Sequence, residues 1–363
     1  MKHKIVLPTL CLLAGAAHAD SSLTLYGITD LGIRYSNGIN ASNAAIPAQS
    51  VLSIGSGIDY TSRWGVKGLE DLGSGLAVLF QLEGGFLADT GATAKSDKLF
   101  DRLSYVGMQS GLGTLTIGRQ ATILADALST VDPLGMRDAS FNPNITMTAL
   151  SNTAFGTHSL GTQYGTSGYN DSYYRLDNML KYSTTNGPLT TRLTYSAGEV
   201  AGSTEALSTI GGGLSYENGP LAISGAFMNF RNNANLGLDA YTIGAAYNMG
   251  SFTLKANYGY NVANTGNNTQ TKARITSAGV TYAINSALLL TTAYYQVTRN
   301  STGYIQDGFD RAFEFLEYSL SKQTSVYLEA DYTKWKGNAA GVTGKSTNDS
   351  RGVGVTLGMM YKF

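Results

Sequence analysis

The sequence predicts an all-β protein, an antiparallel transmembrane β-barrel of about sixteen strands. Three observations carry that expectation. The first is composition: 14% of the 363 residues are charged, with 44 Gly and 23 Tyr but 6 Pro, whereas ordinary soluble domains carry about 25% charge. The second is an apolar/polar alternation with a period of two along most of the chain, the mark of strands with two unlike faces. The third is the spacing of turn signals, which alternate between short and long, the rhythm of an up-and-down barrel with tight turns on one rim and loops on the other.

The first nineteen residues read as a processing segment. Lys2 and Lys4 precede an apolar stretch from Ile5 to Ala17, and Ala17-His18-Ala19 supplies small residues for cleavage, the pattern of a secretory signal peptide. The apolar run is too short for a membrane helix. Cleavage after Ala19 would remove Cys11, the only cysteine, together with His3 and His18. The mature chain would then have no thiol chemistry, a net charge of −2 and no basic excess that suggests nucleic acid. Domain organisation is expected as 1–19 leader and 20–363 barrel.

The strands follow in order. In LTLYGITDLGIRY, Leu23, Leu25, Leu31, Ile33 and Tyr35 oppose Thr24, Asp30 and Arg34. In SFTLKANYGY, Phe252, Leu254, Ala256, Tyr258 and Tyr260 oppose Thr253, Lys255 and Asn257. VYLEADY and the terminal VGVTLGMMYKF behave the same way. Short turns are expected at DLGSG (71–75), SGLG (110–113), TNGP (185–188), ENGP (217–220), NMGS (248–251) and LSKQT (320–324). Strands are placed near 23–35, 57–70, 75–87, 98–109, 113–120, 173–184, 189–199, 206–217, 220–230, 238–248, 251–262, 272–283, 288–299, 310–320, 324–335 and 351–363.

A barrel of sixteen strands is too wide for side chains to fill. The polar face must therefore line water and the apolar face meet lipid, and the bilayer demands a closed sheet. Tyr182, Tyr216, Tyr247, Tyr282, Tyr318 and Tyr361 at strand ends fit an interfacial aromatic belt. Two residues break the pattern. Glu314 shares parity with Leu316 and Tyr318, which suggests a bulge or a subunit contact. Arg119 shares parity with Leu115 and Ile117, and a protein interface would relieve the cost of an arginine in lipid.

Between Gln120 and about Ser172 the alternation stops. A segment this long in a compact domain is functional or disordered, and on an open barrel its useful destination is the lumen. It carries Asp126, Asp132, Arg137 and Asp138. Metal sites are not indicated; Asp97 and Asp101 are oxygen ligands scattered near a rim, a weak signal for calcium. Nucleophilic catalysis wants a base beside a serine, and His158, the single mature histidine, lies in a Gly/Ser/Thr-rich loop without an evident partner.

Several runs then resemble one family. SRWGVKGLEDLGSGLAVLFQLEGGF (62–86) resembles the second and third strands of Gram-negative general porins, above all the β-proteobacterial ones. LTLYGITDLGI (23–33), SYVGMQSGLGTLTIGRQ (104–120), YSLSKQTSVY (318–327) and LGMMYKF are similar to further strands, in order and from end to end. The resemblance implies a sixteen-stranded homotrimeric barrel in the outer membrane. Its third loop would fold inward, and a basic cluster on the wall would face acids on that loop. By that resemblance Arg63 in SRWG, Arg102 in DRLSYVG and Arg175 in YRLDNMLKY match the family arginines. Parity independently puts all three on the polar face, with Lys67 and Arg34 as further members. Each could instead be paired with a lumen acid such as Asp30, Glu83 or Glu329.

Asp132 in VDPLG stands where the loop acid is expected, with Asp126 and Asp138 as candidates for a second, and Arg119 resembles a residue that meets the latching loop of the next subunit. Phe363, with Tyr361 beside it, resembles the terminal signal read by the barrel assembly machinery. The expected function is passive diffusion of small hydrophilic solutes with a weak anion preference and no cofactor. The expected partners are outer-membrane lipid and lipopolysaccharide. Rival readings are a substrate-specific porin, a barrel enzyme and an adhesin.

Overall fold

The computed structural model describes residues 21–39, 45–138, 141–146, 162–167, 174–303, 306–337 and 351–363. The expected leader, Cys11 and His158 lie outside these residues. Seventeen strand segments form one antiparallel sheet. They are β1 Ser22–Ile39, β2 Ala45–Ser56, β3 Arg63–Gly73, β4 Leu76–Gly85, β5 Leu103–Ser110, β6 Gly113–Ala121, β7 Arg175–Asn186, β8 Leu189–Ser196, β9 Thr209–Asn218, β10 Leu221–Arg231, β11 Gly237–Met249, β12 Phe252–Gly266, β13 Thr269–Ala283, β14 Leu288–Ser301, β15 Asp307–Ser319, β16 Thr324–Lys336 and β17 Arg351–Lys362. Two helices, α1 Ile123–Val131 and α2 Pro143–Thr146, stand between β6 and β7.

The wall nonetheless has sixteen strands. β2 pairs with the upper part of β1, Leu31↔Ser56 to Ile39↔Ala45, and β3 with its lower part, Ser22↔Leu69 to Ile28↔Arg63. They are two halves of one wall strand, interrupted at 57–62. Sequence reading ended the first strand at 35 and started the second at 57. β2 has no clean alternation and contains Pro47, which a strand can hold only where no ladder donor is needed. The barrel closes where β1 meets β17, from Ile28↔Lys362 to Asn37↔Val353. Two further bonds, Gly27 N to Phe363 O at 3.0 Å and Phe363 N to Gly27 O at 3.1 Å, seal the lower end. Every backbone edge near the seam is thus paired, as hydrocarbon requires.

The outward row is apolar and exposed: Leu25, Ile33, Ile117, Ile243, Leu357 and Met359 all show more than half their surface. Glu314 does face outward. The β14–β15–β16 ladder runs through it without a bulge, which corrects the expected irregularity, and its carboxylate accepts from Thr292 Oγ1 at 2.8 Å.

The inward row departs from expectation on one side. Met228, Phe230, Leu238, Ile275, Val297, Phe309, Phe313 and Phe315 point inward yet are buried, because the segment after β6 packs on them. Thr122 caps α1, accepting from Ala125 N. Ile123, Leu124, Leu128 and Val131 give α1 one apolar stripe, and its first part packs against β9–β12. Leu134 and Phe141 extend the contact to β14–β16. Six such side chains taken from water stabilise the docked loop by on the order of 10 kcal/mol gross.

Candidate functional site in the lumen

The segment after β6 packs on β9–β12 and β14–β16, and a second group of residues lies on the stretch of wall from β3 to β7. On that stretch Arg63 opens β3, Arg102 precedes β5 and Arg175 opens β7. All three surround the upper end of β4, which carries Glu83. Arg102 Nε donates to Glu83 Oε1 at 2.5 Å, and Arg63 Nε lies 3.8 Å from Glu83 Oε2. Tyr26 Oη donates to the same carboxylate at 2.9 Å, and Gln81 links Tyr26 to Tyr105 through two bonds of 2.6 Å. Arg102 is within electrostatic range of both Arg63 and Arg175. The Arg175 guanidinium lies 4.4 Å from the Tyr174 ring centroid, and its Nε is buried without a hydrogen-bond acceptor. Exposed Lys67 extends the cluster downward, its Nζ 5.6 Å above the Tyr26 ring. Three arginines therefore lie around one carboxylate, with Lys67 over the ring of Tyr26, which donates to it.

Arg34 stands apart from this group. Its Nη1 donates to Glu329 Oε2 at 2.9 Å and to Thr356 Oγ1 at 3.1 Å, its Nη2 bonds Asp331, and its guanidinium lies 4.3 Å from the Phe141 ring. It holds the loop against β1, β16 and β17.

The three loop acids are engaged by the wall or by the loop itself. Asp126 meets Lys181 at 2.9 Å and Arg192 at 3.7 Å. Asp132 is fully buried and accepts from Tyr295 Oη, Asn142 Nδ2, Asn144 Nδ2 and Met136 N at 2.7–3.0 Å. Asp138 is buried close to Arg34, Arg311, Asp331, Glu329 and Asp59. Burial, then the Asp331 carboxylate, push its carboxyl well above the usual carboxylate range, against the pull of the two arginines. The neighbouring Arg137 reaches Glu317 at 2.8 Å and Asp59 at 3.4 Å, and Asp138 N donates to Asp59 O at 2.8 Å. Asp59 belongs to the break at 57–62, so the interruption of the wall strand is where the loop tip docks.

Arg119 is 7% exposed and committed within its own chain, with Nε donating to Asp101 O at 2.5 Å and Nη1 to Asp177 Oδ1 at 2.6 Å. Gly118, at φ +132, and a register shift between Gly118 and Gln120 bend β6 there. Tyr361 and Phe363 sit side by side on the outward face, 42% and 47% exposed with ring centroids 6.3 Å apart.

Sequence reasoning missed Arg137 as an anchor, Asp59 as its receptor and Lys255 on β12 beside Gly135 of the loop. The spacing of Ile123, Leu124, Ala127, Leu128 and Val131 was a readable helical signal for α1. Nothing in the local pattern points from Arg137 to Asp59, 78 residues away.

Comparisons with known proteins agree with this architecture. The sequence profile of the Gram-negative porin family matches residues 8–338. An outer membrane porin protein of Bordetella pertussis is 29% identical over 96% of both chains. Outer membrane porin protein 32 of Delftia acidovorans is 31% identical over 69% of this chain and 67% of its own length. Among solved structures, an anion-selective porin from Comamonas acidovorans superposes with a TM-score of 0.75, covering 95% of this chain and 100% of its own, at 23% identity. OmpT of Vibrio cholerae, in trimer form, gives 0.68 over 94% and 99%, at 16% identity.

Proposed function

The chain belongs to the Gram-negative porin family, and from that premise we propose that its channel prefers anions because the constriction is electropositive. It is an outer-membrane porin, a multi-pass barrel for passive diffusion of small hydrophilic solutes. Arg63, Arg102, Arg175 and Lys67 would form the basic side of the narrowest passage. The observation that carries this reading is the charge imbalance: Arg63, Arg102 and Arg175 gather around Glu83, with Lys67 beside Tyr26, while Asp126, Asp132 and Asp138 are engaged elsewhere. Uncompensated like charges lining a narrow passage raise the local concentration of counter-ions.

No catalytic step is required of these residues, and the family consists of channels. A homotrimer is the proposed assembly, consistent with the trimer form of OmpT, and Arg119 is retained as a candidate residue at its subunit contacts. Residues 1–19 are proposed as the export leader. The test is planar-bilayer recording in a KCl gradient. The wild type should give a reversal potential of anion sign, and Arg63→Ala/Arg102→Ala/Arg175→Ala should move it toward cations. An unchanged reversal potential in the triple variant would remove the constriction assignment.

A further inference from the structure

The wall beneath the segment after β6 has gaps in its inward rows. On β11 the row reads Ala240, Thr242, Gly244 and Ala246, and on β13 Ile275, Ser277, Gly279 and Thr281. Both glycines receive a side chain from the loop. A Cβ on Gly244 would lie 2.6 Å from Val131 Cγ2 and 2.8 Å from Val131 Cβ, and a Cβ on Gly279 would lie 2.7 Å from Pro133 Cβ. Carbon atoms in contact stay about 3.5–4.0 Å apart, so neither position has room for a methyl group with the loop where it is. Val131, which ends α1, and Pro133 just beyond it are therefore seated on bare backbone, and both are buried. Ile123, which opens α1, meets Gly211 on β9 in the same way, with its Cδ1 3.0 Å from where a Cβ would stand. Eight residue steps of helix span about 12 Å and two strand spacings about 10 Å, so α1 lies across the strands from β9 to β11. Gly259, inward on β12 between the two seats, is different: a Cβ there would meet no described atom closer than 3.7 Å.

The place of these seats in the barrel gives them their consequence. With β2 and β3 counted as one wall strand, β13 stands eight strands from β5 in either direction round the sheet, and β11 eight strands from the β2–β3 wall strand. The loop is thus seated on the wall across the lumen from Arg63, which opens β3, and Arg102, which precedes β5. Any distance that the loop stands off its own wall is taken from the passage between the loop and those arginines.

We propose that Gly244 and Gly279 set the calibre of the channel: by carrying no side chain they let Val131 and Pro133 sit flush on the wall, and this fixes the width left for solutes. They are positioning residues, which act through the loop and touch no solute. The inference rests on the pore reading and adds to it what decides size, whereas the arginines decide charge.

The test is single-channel conductance in planar bilayers, with liposome swelling in sugars of increasing size. Gly244→Ala and Gly279→Ala should each force the loop off its seat by about 1 Å. The expected result is a loss of roughly a third of the conductance, because pore width limits flow, and slower entry of disaccharides relative to monosaccharides, with an unchanged reversal potential. Each new Cβ would also crowd the next strand, 2.5 Å from Ala256 O and 2.7 Å from Thr292 O respectively, so a loss alone has two explanations. Gly244→Ala/Val131→Gly and Gly279→Ala/Pro133→Gly keep that strand contact while clearing the loop side of the seat, and they should regain wild-type conductance. Val131→Phe leaves the wall intact and should lower conductance, whereas Gly259→Ala should leave it unchanged. Heat-modifiable mobility reports folding for every variant. Wild-type conductance in folded Gly244→Ala and Gly279→Ala, or in folded Val131→Phe, would overturn the proposal, as would exchange variants that stay low. A wild type without channels would strike the pore reading; the seats are then judged from the loop-to-wall distance in a solved structure of Val131→Phe, where an unmoved loop overturns them.

Discussion

Glu83 is the residue on which the charge of the passage turns. Among the described residues it is the one carboxylate paired with Arg102 and Arg63, so Glu83→Gln adds one net positive charge to the cluster. At the effective dielectric of a protein–water boundary one charge a few ångströms from the ion path is worth on the order of 1 kcal/mol after salt screening, roughly a fivefold change in the anion-to-cation permeability ratio. Reversal potentials at 0.1 M and 1 M KCl should show the ratio rising, with a smaller rise at high salt. Gly354 matters for a different reason. A Cβ placed there would lie 1.9 Å from Arg34 Nη2 and 2.3 Å from Asp331 Oδ2, so the buried ion pair lies flat across a bare backbone. Gly354→Ala should split the pair and cost about 3–5 kcal/mol, read as a lower temperature for loss of the heat-modifiable form. The alternation of VGVTLG was plain in the sequence, but what its inward glycines accommodate was not.

The element that decides the pore is the segment from Thr122 to Phe141. Its inward course was legible, since an alternation-free stretch of that length has few other places to lie. Its chemistry was not. Asp126, Asp132 and Asp138 looked like the acid side of a constriction because charge on an inward loop is expected to meet solute. In the fold the loop covers Met228, Phe230, Phe313 and other inward apolar residues, and its acids face the cations and donors beneath them. Such pairings join residues far apart in the chain, and no local pattern encodes them.

Asp138 also makes the docking pH-sensitive. Its folded carboxyl binds a proton more tightly than the ordinary carboxylate of an undocked loop. Docking is therefore strongest below the usual carboxylate range and weakens as pH rises from there through the raised value. Arg34, Arg311, Asp331, Glu329 and Asp59 set that value together. Limited proteolysis across the loop should quicken between mildly acidic and alkaline pH, and Asp138→Asn should flatten that dependence. A rate independent of pH in the wild type would refute the role given to Asp138.

At the scale of the whole molecule, closure depends on the last strand. β17 pairs with β16 on one side and β1 on the other, and Phe363 ends it with its ring against Gly27. Phe363 is proposed as the assembly signal. Phe363→Ala should lower the folded fraction in outer-membrane preparations several-fold, while barrel refolded in detergent keeps its thermal stability to within about 2 kcal/mol, because the ring is half exposed. Equal membrane yields would dismiss the signal.

The barrel follows from the sequence, because a period of two, an even rhythm of turns and a bilayer that forbids unpaired backbone leave one architecture. Parity also pointed Arg63, Arg102 and Arg175 to the polar face, but Arg102 lies just before β5 and a register shift interrupts the β6–β7 ladder beside Arg175, where parity no longer sets the face. It took the closed fold to show that Arg34 is an anchor, that the second wall strand breaks to receive Arg137 and Asp138, and that Asp132 and Asp138 are buried while Asp126 pairs with Lys181. The period of a strand says which way a side chain points, whereas its partner depends on which distant segment the closed fold brings against it.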